Sequence, residues 1–124
     1  MILARITLWL GGLGYLAFGL AFLFAPVETL AAAGWAMTGD GATTELRAFY
    51  GGLEVALGAL LIAADLRGRR REGLILCLAT YGGIGAARLL GIAMAGAAND
   101  FLWIALGTEA VLAVLAALSL RASR

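Results

Sequence analysis

Arg47, Glu54, Arg88 and Glu109 stand inside long apolar stretches of this 124-residue chain. An ionised side chain in hydrocarbon is costly and persists only where it is paired, faces water or performs a task. Two of the four are basic and two acidic, so the set can neutralise itself. A polar site inside a membrane-spanning fold is therefore the centre of any functional reading.

Composition agrees with that setting. The chain is 63% hydrophobic and 14% charged, with 18 Gly and 1 Pro, whereas globular domains are about half apolar and about a quarter charged. Glycine is favoured at close helix contacts in membranes. These figures point to one integral membrane domain over residues 1–124. The net charge of +1 supplies no basic field for nucleic acid. With no His, the commonest general base and the usual zinc or haem ligand are missing. One cysteine, Cys77, makes neither an internal disulfide nor a CxxC pair. The expectation is no cofactor and no metal.

Four segments are long enough to span, since about 20 apolar residues suffice. They run over 2–25, 44–66, 73–95 and 100–120. The first has the Arg5 and the Ala31-Ala32-Ala33 of a signal peptide, but its apolar stretch exceeds the roughly 7–15 residues of a signal core. It is expected to remain as a span. Pro26 ends it and opens a short interfacial helix over 27–37, with Glu28 at its positive end and Trp35 at headgroup level. Thr43 is the expected N-cap of the second span, and Gly96 the expected cap closing the third. The fold class is all-α, an integral membrane four-helix bundle with one interfacial helix. Arg5, the turn Arg67-Gly68-Arg69-Arg70-Arg71, Arg121 and Arg124 fall on one side of this topology. By the positive-inside rule both termini are cytoplasmic. The bias argues against the dual topology of small multidrug antiporters.

At 1.5 Å of rise per residue, Arg47 lies roughly 5 Å below the outer face, Glu54 roughly 15 Å, Arg88 roughly 10–13 Å and Glu109 roughly 13 Å. All four occupy one half of the bilayer, on three helices. Arg47, Tyr50 and Glu54 recur at helical spacing, as do Tyr81, Gly85 and Arg88. Small residues mixed with one or two polar ones are expected where helices pack closely round a polar site. The expected pairs are Arg88 with Glu109, matched in depth, and Arg47 with Glu54. The latter needs a reaching side chain, a water or a ligand across roughly 10 Å. The candidate polar core is thus Arg47, Tyr50, Glu54, Tyr81, Arg88 and Glu109. Cys77 reads as a small core residue, and the arginine turn as a topology signal with a secondary role in binding anionic lipid.

The run Glu45-Leu46-Arg47-Ala48-Phe49-Tyr50-Gly51-Gly52-Leu53-Glu54, followed by Gly58, resembles the second helix of a membrane family known only as domain of unknown function 4345. Gly85-Ala86-Ala87-Arg88-Leu89-Leu90, then Gly96 and Glu109, is similar to its second half. The resemblance covers most of the chain. It implies a four-helix fold of the bacterial inner membrane, distantly DoxX-like, with a shared polar core and no assigned reaction. Ala95 stands where the resemblance leads one to expect an acidic or polar residue.

Three functions compete. The polar core binds or transports a small amphiphile, or relays a proton through Glu54. Alternatively the charges fix helix register in a structural or accessory subunit, with a homo-oligomer or a membrane partner. In the third, a lipid-modifying enzyme uses Glu54 or Glu109 as acid or base and Arg88 to hold negative charge. That last reading is weakened by the lack of His, a metal motif and a nucleophile elbow. Membrane lipid is an expected partner in every case, and nucleic acid in none.

Overall fold

The computed structural model describes residues 2–124 and is all-helical over them. Its elements are α1 (Ile2–Phe24), α2 (Pro26–Ala32), α3 (Asp40–Leu46), a π-helical segment (Arg47–Leu53), α4 (Glu54–Leu66), α5 (Arg70–Ala95) and α6 (Asp100–Ala122). From α3 to α4 the helix is continuous, so four helices are long and apolar enough to cross a membrane. This is the make-up of a multi-pass membrane protein.

The helix ends follow from local chemistry. Pro26 takes the first position of α2, where its missing N–H costs nothing. That helix stops at Ala32 and not at 37, because Gly34 adopts φ 93°. Trp35 N–H then donates to Leu30 O (3.1 Å) and Gly34 N–H to Ala31 O (3.0 Å), a closed C-terminal motif. The same motif ends α4 at Gly68, with Arg69 N–H on Ala64 O (2.8 Å) and Gly68 N–H on Asp65 O (3.1 Å). The second span starts four residues ahead of the expected 44. Gly39, not Thr43, occupies its N-cap, and Asp40 lies in its first turn, where a carboxylate meets the positive helix end. Thr43 instead sits inside the helix, its hydroxyl bonded back to Gly39 O (3.0 Å). The third span begins at Arg70, three residues ahead of the expected 73, so part of the arginine turn is helical. Asn99 caps α6 by accepting from Leu102 N–H (3.0 Å).

The chain forms two compact units. In the unit made of Met1–Gly11 and Leu61–Arg124, parts of all four long helices pack together. Thr7 on α1 lies 3.4 Å from Ser119 on α6, oxygen to oxygen. Gly73 on α5 faces Leu8 and Ala64. Gly11 faces Leu61, Cys77 and Tyr81, and its bare Cα is what admits the tyrosine ring. Leu8, Leu61, Leu74 and Cys77 are fully buried at this level.

The unit over Gly12–Leu60 holds the rest of α1, α2, α3, the π segment and the start of α4. Here α1 and the second span approach backbone to backbone. A Cβ on Gly58 would stand 2.6 Å from Gly12 O and 2.9 Å from Leu16 N. One on Gly19 would stand 2.8 Å from Val55 N, and one on Gly51 3.0 Å from Leu23 Cα. Without a hydrophobic drive between helices in lipid, such close approach and the dispersion it permits supply much of the attraction. Gly58→Ala is therefore expected to lower stability by about 1–3 kcal/mol, since neither backbone can yield. Gly52, whose Cβ would meet nothing closer than Arg47 O at 3.7 Å, should accept Ala with a change under about 0.5 kcal/mol. Denaturant unfolding of both variants in detergent checks the contrast.

Candidate functional site

The six expected polar-core residues divide evenly between the units: Tyr81, Arg88 and Glu109 in one, Arg47, Tyr50 and Glu54 in the other.

In the first unit Arg88 and Glu109 make the pair that their matched depth suggested. Arg88 Nε donates to both carboxylate oxygens at 3.0 Å, and Nη2 donates to Oε1 at 2.7 Å. The side chains are 21% and 9% exposed. Gly85, one turn before Arg88, faces Glu109; a Cβ there would lie 3.3 Å from the Glu109 Cβ. The glycine thus lets α6 bring its carboxylate against α5. Charge-assisted bonds of this geometry are among the strongest side-chain contacts, and each ion satisfies the other in a medium that would punish either alone. Tyr81 lies deeper in the packing, its hydroxyl donating to Gly11 O at 2.6 Å.

In the second unit the backbone is the unusual element. Arg47–Leu53 is π-helical, so each residue advances less around the axis than in an α-helix, and the seven-residue spacing from Arg47 to Glu54 no longer describes a single α-face. π turns recur at functional sites. Arg47 is exposed, and its Nε donates to Leu23 O at 3.2 Å. Its partner is therefore an α1 carbonyl, near the end of that helix, where the expected partner was Glu54. A cation is favoured there because the last carbonyls of a helix lack N–H donors. Tyr50 is 47% exposed and leans on Phe22, ring centroids 5.1 Å apart. Glu54 follows directly after the π segment and is half-buried.

A second charged centre went unforeseen. Asp65, 2% exposed at its side chain, binds Arg70 Nε (2.6 Å), Arg5 Nε (3.3 Å) and Trp9 Nε1 (2.8 Å). The sequence cue was present: an acidic residue one position before the end of a span, followed by four arginines. It reads as an ordinary interfacial charge until the turn at Gly68 folds Arg70 back onto it.

Among the described residues no group of three or more His, Cys, Asp or Glu is placed to hold a metal ion. No curated protein and no solved structure matches this chain. A family model does, over residues 3–120, which is nearly the whole sequence and includes all six expected polar-core residues as well as Asp65 and its three partners. The chain belongs to the family described as domain of unknown function DUF4345.

Proposed function

We propose that this membrane protein binds a small amphiphile, an apolar tail with a carboxylate or zwitterionic head, at the π-helical turn that carries Arg47, Tyr50 and Glu54. The observation that carries the reading is the π segment itself. A lipid-length helix exchanges its i→i−4 hydrogen bonding for the rarer i→i−5 pattern over Arg47–Leu53, the stretch that presents an exposed cation and an exposed tyrosine. Arg47 is gripped through Nε, which leaves its Nη groups to meet an anionic head. The exposed faces of Phe49, Tyr50 and Leu53 suit a tail. Glu54 accepts the cationic half of a zwitterion, or carries the proton exchanged with it. Transport of the amphiphile, or of a proton through Glu54, extends the same reading. By the positive-inside rule the arginine-bearing end, with both termini, faces the cytoplasm. The family resemblance suggests a bacterial inner membrane.

The second reading, an accessory subunit held in register by buried charge, is favoured by the closed Arg88–Glu109 pair. The two readings are separable, because they rest on different residues.

Native mass spectrometry of gently extracted protein should find a small molecule on the wild type. Its affinity should fall by about tenfold or more in Glu54→Gln, the loss of one charge-assisted contact worth about 1.5–3 kcal/mol. Wild-type protein free of any such molecule would contradict the proposal. For the second reading, Arg88→Met alone should cost about 3–5 kcal/mol by leaving Glu109 uncompensated. The double variant Arg88→Met/Glu109→Met should recover most of that loss in denaturant unfolding. A double variant as unstable as Arg88→Met alone would contradict the register role of the pair.

A further inference from the structure

Seven of the nine arginines, all but Arg47 and Arg88, lie where α1 begins, α4 ends, α5 begins and α6 ends. Two carboxylates accompany them, Asp65 and Glu72. Glu72 pairs with Arg69 on the surface at 3.1 Å. Asp65 differs, because it is buried and holds two arginines at once, both through Nε, with the Trp9 indole as a third donor. A guanidinium held through Nε keeps its Nη fork at the far end. The Arg5 side chain is 59% exposed and that of Arg70 29%, so both reach the surface of the protein. The trio carries one net positive charge. Beside it, Ile2, Leu3, Ile6 and Leu10 on α1 are exposed apolar side chains.

We propose that Arg5 and Arg70, oriented by Asp65, form a clamp for the phosphodiester of an anionic phospholipid. The head carries the single negative charge that the trio lacks. Its oxygens accept from planar forks suited to phosphate, and its acyl chains lie along the exposed apolar flank of α1. Basic clusters next to a spanning helix attract anionic lipid generally. The new element is that one buried carboxylate fixes which two arginines make the contact. A lipid is the occupant, and not a soluble phosphate, because the cluster lies at the end of membrane-length helices beside exposed apolar residues. This inference does not depend on the amphiphile site.

The full chain, stripped of lipid in mild detergent, is titrated with phosphatidylglycerol, phosphatidylcholine or inorganic phosphate and read by native mass spectrometry. Phosphatidylglycerol should bind at least about fivefold more tightly than phosphatidylcholine, and Arg5→Gln should remove that preference. Arg121→Gln, which deletes an exposed arginine outside the clamp, should change it by less than about twofold. Asp65 keeps Arg70 and Trp9 in Arg5→Gln, so the variant should fold. If it does not, Arg5→Lys keeps the charge but not the fork, and should weaken phosphatidylglycerol by about threefold or more. Equal loss in the Arg5 and Arg121 variants would overturn the clamp in favour of diffuse attraction. So would equal binding of the two lipids, and displacement of phosphatidylglycerol by an equal concentration of inorganic phosphate would replace the lipid with a soluble anion.

Discussion

Charge cannot stand alone in hydrocarbon, and most of the ordered polar geometry of this protein answers that constraint. Arg88 and Glu109 answer it by closing on each other. Asp65 answers it at one end of the helices with two guanidiniums and an indole. Arg47 finds the carbonyl of Leu23. Each solution needs two segments at a set depth and rotation, so each fixes packing as well as charge. The glycines do the complementary work. Gly85 lets the Glu109 carboxylate approach α5, Gly11 admits Tyr81, and Gly58 brings α4 against the backbone of α1.

These solutions differ in what they leave over. Arg88 spends two of its nitrogens on Glu109, and Tyr81 donates to a carbonyl in the packed interior. Groups so engaged hold a fold together. Arg47, Arg5 and Arg70 are each held through Nε and reach outward. They are both anchored and available, the combination a recognition element needs, since a preorganised donor loses less freedom when a ligand arrives. One such anchor lies in the π turn and the others at the arginine-bearing end.

Much of this was legible in the residues. Span number followed from apolar length, and the Arg88–Glu109 contact from two opposite charges at equal depth on neighbouring helices. Pro26 and Gly96 marked their boundaries. The π turn was not legible, because Arg47–Leu53 has an ordinary composition for a helix. Its glycine pair suits close packing in either helix type. The Arg47 partner was missed for a related reason: side-chain charges can be counted in a sequence, whereas a carbonyl becomes an acceptor only once a helix end is placed beside it. Asp65 was overlooked because its three partners come from residues 56 to 60 positions back and 5 positions ahead; the turn at Gly68 brings Arg70 and the packing of α1 brings Arg5 and Trp9.

The central claim is that the π turn receives an amphiphile, and labelling tests it most directly. A fatty acid carrying a photoactivatable diazirine would be added to the protein in lipid nanodiscs, irradiated, and the adducts mapped by peptide mass spectrometry. The account predicts adducts concentrated on the peptide spanning Arg47 to Glu54, and their loss when Arg47 is replaced by Gln. Adducts spread evenly over every lipid-facing helix, unchanged by that substitution, would contradict it.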